Sequence, residues 1–443
     1  MRINYIVMLT MLSFITGCSS MPDWFGENNN EPKLEGKRLS VLKLENKLAA
    51  DKEIGNVTVN IPPEQELRIW ANSNGSQYDY PANIKLVATS GASNESRVIP
   101  LSRKSYYLTA TPVVVEDKIF VMDGIGRVFA YNKDDLKKPL WTKNLSPLDE
   151  KEELVGGGMA YQNGKIFITS GHKDILALNI ETGKEIWRNS LNNIARAAPI
   201  IEGDKLLVLT IDNKLYALSL LDGSLLWMHE GAEETIGIFG AASMASSQGI
   251  VVIPHSSGQL HGLDINNDGA EIWSVNLAYS KTSLAGFSFS DIDVTPIIRG
   301  ENIYVAGNMG LIFAVGLKDG TLHWQQEIKG VKSIWVSGDF LYVVDSSNDL
   351  ICLYNKDGRV KWIKSLEAIL TDKKSKLKNS FVGPVMAEGK LILVSVEGKL
   401  LYISPLHGEI LAEKKVEKNV KLLPVIVGGN IYLFSNNGLL SIY

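Results

Sequence analysis

One spacing constrains this chain more than any other feature. Eight times, a residue opening an apolar stretch is followed eighteen positions later by a second, usually small, residue. The pairs are Pro112 and Ala130, Met159 and Ala177, Pro199 and Ala217, Met244 and Gly262, Pro296 and Ala314, Ile334 and Cys352, Pro384 and Tyr402, Pro424 and Ile442. Ten or eleven residues after most of these second marks comes a tryptophan, in a phrase that reads glycine, three residues, tryptophan. Gly183 with Trp187 and Gly223 with Trp227 are full copies; Trp273, Trp324 and Trp362 end three more. Trp141 ends a variant without the glycine, and residues 408–412 are a degenerate copy with Ala412 in the tryptophan's place. Between the marks run apolar segments such as Ile119-Phe120-Val121 and Leu206-Leu207-Val208-Leu209, bounded by Gly, Asn and Asp turns. That is strand patterning.

A unit of roughly 40 to 50 residues with about four strands and a tryptophan signature is a propeller blade. The expected fold is therefore all-β, an eight-bladed β-propeller over residues 64–443. Ring closure is testable on the sequence, because the eighth unit reaches its mark at Ile442 and ends at Tyr443 without its outer strand. The segment Glu66-Leu67-Arg68-Ile69-Trp70 carries an otherwise unassigned tryptophan and is expected to complete the last blade, leaving no open edge in the ring.

The first seventeen residues are expected to be a cleaved signal. Arg2 precedes an apolar run from Tyr5 to Ile15, too short for a helix that spans a bilayer. The run ends in Ile15-Thr16-Gly17-Cys18, which resembles a bacterial lipobox, so Cys18 is the candidate acylated residue. Ser19-Ser20 follow, and by resemblance to lipoproteins this favours sorting to the outer membrane. Each buried CH₂ of an acyl chain is worth about 0.8 kcal/mol. Residues 18–63 read as a lipidated flexible tether, polar and without a sustained period. The chain has 45 Lys+Arg against 49 Asp+Glu, a net charge of −4 that argues against a nucleic-acid partner.

Candidate chemical sites compete with their places in the repeat. Cys352 occupies a small-residue mark and reads as a buried structural thiol. Residues 264–269 resemble the start of an EF-hand loop, but Val275 stands where a bidentate Glu is needed, so the segment reads as a turn. The six histidines form no H-x-x-x-H pair, which argues against zinc, and His255 and His261 read as blade surface. Gly156-Gly157-Gly158 lacks the G-K-[ST] of a phosphate loop. The phrases around Trp187 and Trp227 resemble the tryptophan docking motif of quinoprotein dehydrogenases, where the motif is structural. The chain lacks the adjacent cysteines often found beside the quinone pocket of those enzymes. No catalytic residue, metal ligand or cofactor is expected. A quinone-dependent dehydrogenase and a periplasmic ligand-binding propeller remain the alternatives.

Function on such a scaffold falls to loops. Two neighbouring inter-blade connections stand out. Trp227 to Met244 holds Ile236, Ile238 and Phe239, and Trp273 to Pro296 holds Asp291 and Asp293. An apolar centre with an acidic rim suits a protein interface. A third connection carries the lysine run of residues 373–378, read as a solvated loop. Residues 290–296, Ser-Asp-Ile-Asp-Val-Thr-Pro, together with the lipobox and the eight units, resemble the BamB family of propeller lipoproteins of the outer-membrane β-barrel assembly machinery. That resemblance implies a non-catalytic scaffold, anchored by lipid on the periplasmic face of the outer membrane. It implies docking on the POTRA region of BamA and assistance to nascent outer-membrane proteins. By position, Asp291 and Asp293 match acidic contact residues of the family, and Ile236 and Ile238 match apolar ones. Phe239 stands where better-known members have a basic residue.

Overall fold

The computed structural model describes residues 48–73, 81–87, 94–98, 110–145, 157–195, 197–231, 243–255, 257–277, 292, 294–307, 310–331, 333–370, 380–436 and 438–443. The eight expected units form eight antiparallel sheets, seven of four strands and one of five. Blade one, for example, comprises Val113–Val115, Lys118–Met122, Arg127–Asn132 and Trp141–Asn144, from the ring axis outward. The architecture is an eight-bladed β-propeller.

The repeat phrase explains how neighbouring blades join. In each blade the small mark on the third strand lies opposite the tryptophan of the outer strand: Ala130 and Trp141, Ala177 and Trp187, Ala217 and Trp227, Gly262 and Trp273, Ala314 and Trp324, Cys352 and Trp362. The indole lies over that mark, and at Gly262 even a Cβ would stand 2.2 Å from Trp273 Cε2. Where the tryptophan becomes Ala412, its cross-strand partner becomes Tyr402, a compensating exchange of volume.

Each indole reaches across to the next blade. Gly223 takes φ +73° in the turn of blade three, and a Cβ there would lie 2.6 Å from Trp187 Cε3, so the position requires glycine twice over. The same approach recurs at Gly183, Gly269, Gly320, Gly358 and Gly408. Five indole N–H groups donate to the carbonyl three residues after the next blade's small mark: Trp141 to Ile180 (2.8 Å), Trp187 to Leu220 (3.2 Å), Trp273 to Leu317 (2.8 Å), Trp324 to Asn355 (2.8 Å) and Trp362 to Pro405 (3.1 Å). An indole buries about 150–250 Å², worth about 4–6 kcal/mol of apolar burial per seam before ordering costs. The core follows the same logic. Five clusters are each shared by two adjacent blades, such as Phe120 and Val128 with Ile166 and Leu176, and a sixth joins blades six, seven, eight and one.

Closure differs from the expectation in one segment. The outer strand of blade eight does come from the N-terminal part of the chain, but it is β2 (Asn94–Arg97), paired Asn94 with Ile442 and Arg97 with Leu439. The expected segment instead supplies β1 (Ile69–Trp70), which pairs with Val114 and Val115 and becomes an innermost fifth strand of blade one. The reason is burial. Trp70 is 1% exposed, whereas Trp187, Trp227, Trp273 and Trp324 are 7–8% exposed at their seams and Trp141 and Trp362 are only partly buried. A short run such as Asn-Glu-Ser-Arg, polar and charged, is the chemistry of a solvent-facing edge strand.

The second correction concerns the tether. Residues 48–63 are packed on the propeller. A short helix α1 (Lys52–Gly55) lies on the outer strand of blade six, Val360–Ser365. Asp51 caps it by accepting from the N–H groups of Glu53 (2.8 Å) and Ile54 (3.1 Å), and its own N–H donates to the Val360 carbonyl (2.8 Å). At the other end, buried Lys361 donates to the carbonyls of Ile54, Gly55 and Val57, at 3.2, 3.0 and 2.5 Å. The apolar residues Ile54, Val57, Val59 and Ile61 supply the contact that outweighs the polar composition. From there the chain crosses successive blades. Asn83 donates to the Pro62 carbonyl and accepts from Gly389 N–H (both 2.9 Å), Ile84 donates to Met386 (3.0 Å), and Gly428 donates to Leu67 (2.7 Å).

Candidate partner interface

Both candidate connections leave and return on the face that carries the turns between second and third strands. After the outer strand of blade three (Leu225–Glu230), Gly231 N–H donates to the Asn213 carbonyl in such a turn, at 3.0 Å. After the outer strand of blade four (Ala270–Asn276), Leu277 N–H donates to Gly258 in the next, at 2.9 Å. The returning ends are tied together: Ser243 N–H donates to Thr295 Oγ1 at 3.2 Å, and Ser243 Oγ donates to the Ala198 carbonyl at 3.4 Å. Within the second connection, Ile292 is buried and forms an isolated antiparallel bridge with Gly307. Ile236, Ile238, Phe239, Asp291 and Asp293 lie outside the described residues, as do Cys18 and the lysine run 373–378.

Beside Gly231, where the first connection leaves blade three, lies a group that the sequence analysis placed on the blade surface. His255 is 2% exposed, and its ring meets that of His261 edge-on at 4.6 Å. His261 Nδ1 is 2.7 Å from Glu271 Oε2. His229 lies beside them, its pKa lowered by burial and then by the His261 charge. The group supports the exit of the connection, since a Cβ on Gly231 would stand 2.8 Å from His255 Cε1. The available signal was registry: His229 is two residues past Trp227, and His261 is next to the small mark Gly262.

The rival chemical sites resolve as parts of the scaffold. Cys352 is fully buried opposite Trp362, and burial pushes its thiol far above the ordinary range, which suppresses the thiolate a nucleophile needs. Residues 264–269 are a turn in which Asp264 Oδ1 accepts from Asn266 N–H (2.8 Å) and Gly269 sits against Trp227. Among the described residues, no three His, Cys, Asp or Glu side chains converge as metal ligands. On the axial side, Asn72 Nδ2 donates to the Pro199 carbonyl (2.7 Å), Ser73 Oγ accepts from Met159 N–H (3.1 Å), and Thr111 Oγ1 bonds the Ser73 carbonyl. The chain itself thus lines the inner strands of blades one to three, with Asn72 and Ser73 both buried.

Comparison with known proteins agrees with this geometry. The family profile described as "Outer membrane protein assembly factor BamB" matches residues 135–364. The outer membrane protein assembly factor BamB of Salmonella typhimurium is 25% identical over 75% of this chain and 83% of its own. The crystal structure of BamB from Moraxella catarrhalis superposes with a TM-score of 0.63 at 18% identity, covering 79% of this chain and 98% of that one. A quinohemoprotein alcohol dehydrogenase from Comamonas testosteroni shares the fold at 13% identity, with a TM-score of 0.61 over 82% of this chain and 76% of that one. A profile match over half the chain, on a ring of eight blades with six tryptophan seams, settles the family: this chain belongs to the BamB family of outer membrane protein assembly factors.

Proposed function

We propose that the protein is a non-catalytic scaffold of the outer-membrane protein assembly machinery, held by an acylated Cys18 on the periplasmic face of the outer membrane. It docks on the POTRA region of a BamA-like subunit, and nascent β-barrel proteins are the clients whose folding and insertion it assists. The contact is made by the paired connections after blades three and four. Ile236, Ile238 and Phe239 supply the apolar part, and Asp291 and Asp293 the acidic rim. The observation that supports this reading is the tie from Ser243 N–H to Thr295 Oγ1, which anchors the returns of both connections at one place on one face. A rigid base of that kind lowers the ordering cost of a loop-borne interface.

The test is binding of the POTRA region to a variant carrying Ile236→Ala, Asp291→Ala and Asp293→Ala. A central apolar anchor with its rim is worth at least about 2 kcal/mol, so affinity should fall at least about thirtyfold. Unchanged binding would remove the site.

A further inference from the structure

The seam between blades seven and eight is built unlike the six before it. Blade seven carries Ala412 where its predecessors carry the docking tryptophan, with Tyr402 opposite it, and both residues line an open cleft. A cleft of about 490 Å³ opens there, floored by Tyr402, Ala412 and Ile431 and walled by Val87, Leu411 and Tyr443. That volume lies within the usual range for a site that takes a small guest. The corresponding cleft between blades two and three, about 570 Å³, is no smaller. It is lined by Phe167 and Leu220 without Trp187, which keeps its place in the seam, so the distinction is the lining and not the volume. At blades seven and eight the opening includes Ala412 itself and runs on to Lys414.

We infer that this seam is a socket for a tryptophan side chain presented by an extended segment of another polypeptide. Three observations support it. Six sibling seams show what the architecture accepts at this position, an indole packed between one outer strand and the next blade. The outer strand beside the cleft, Ile410–Lys415, is exposed along its whole length, and among the described residues no strand pairs with its outer edge, where an incoming strand can add. The walls are apolar and accessible, with Val87 57% and Leu411 52% exposed, and the Lys414 ammonium already stands 4.6 Å from the Tyr443 ring centroid, where a guest ring would meet it too. Glu388 and Lys390 pair at the mouth at 3.0 Å, so the rim carries little net charge and the recognition is aromatic rather than ionic. The site is on different blades from the paired connections and goes beyond the scaffold reading.

The experiment is a titration of the full propeller with a short extended peptide bearing a central tryptophan, beside its alanine twin. The tryptophan peptide should bind at least about tenfold more tightly. Two variants should each reduce it to the level of the twin without lowering the thermal midpoint: Ala412→Trp, which supplies the missing indole, and the double change Val87→Lys with Leu411→Lys, which charges the exposed walls. POTRA binding should be unaffected by either. Equal affinity for both peptides, or tight binding that survives the charged walls, would overturn the socket. So would a gain in peptide affinity on Trp24→Ala, since it would name the protein's own N-terminal segment as the occupant.

Discussion

The seams from blade one to blade seven and the arc from blade six through blade eight to blade one are held together by different means. In the first region every seam repeats one device, an indole from one blade over a glycine of the next. In the second, the tryptophan is lost at Ala412, and the N-terminal chain takes over, placing Ile54, Val59, Trp70 and Ile84 in a single cluster with the cores of blades six, seven, eight and one. The regular region is stable by nearest-neighbour contacts, as repeat proteins are. The irregular arc depends on contacts far apart in sequence. A ring must close, and closure is the one step that a local repeat cannot encode.

The largest test of that contrast is Trp70→Ala. Truncating a fully buried indole should cost about 3–5 kcal/mol in denaturant unfolding, and it should loosen blades eight and one together. A loss confined to blade one, read by amide exchange, would break the contrast. Next comes Lys361→Met. It leaves three carbonyls without their charged donor, and the expected loss is about 1.5–3 kcal/mol, with residues 48–63 released from blade six. Smaller effects sharpen the regular side. Trp324→Phe breaks the bond to the Asn355 carbonyl and should cost about 1 kcal/mol more than Trp227→Phe, because Trp227 Nε1 meets no acceptor among the described residues. Equal losses would show that the indole bond adds nothing to the seam.

The smallest effect is one of acid. The Asp51 carboxyl is held below the usual carboxylate range, chiefly by the Ile54 N–H, with Glu53 N–H and Arg359 helping and desolvation opposing. A group depressed in the folded state contributes stability that is present above its unfolded pKa of about 3.9 and is lost as pH falls through the folded value. Protection of the Glu53 and Ile54 amides should therefore hold at neutral pH and decline only below about pH 4. In an Asp51→Asn variant that acid-dependent step should vanish.

Sequence reading recovered what is periodic. The mark-to-mark spacing located eight blades, and the pairing of small marks with tryptophans emerged as a cross-strand contact from Ala130–Trp141 to Cys352–Trp362. It misassigned what is not periodic. Trp70 resembled a docking tryptophan by residue type alone, although no glycine stands four positions before it, and the closing strand Asn94–Arg97 has no apolar residue to mark it. Residues 48–63 looked like a tether because their apolar alternation is confined to Val57, Val59 and Ile61; the burial of these and of Ile54 is set by the blades they cross. The candidate interface rests on composition and position in the repeat, and its five named side chains lie outside the described residues. The tie between Ser243 and Thr295 was not legible in the sequence, because it joins residues 52 positions apart. His255 read as blade surface and is buried, because burial depends on the neighbouring strand and not on the histidine.

The claim that organises the account is that this propeller works by gripping a barrel-assembly subunit through connections on neighbouring blades. The most direct measurement is affinity capture of the full-length lipidated protein from native membranes, with identification and quantification of what accompanies it. The account predicts a BamA-like subunit at near-equal amounts, lost when Ile236, Asp291 and Asp293 are changed together to alanine. Recovery of the propeller without any barrel-assembly subunit would contradict it.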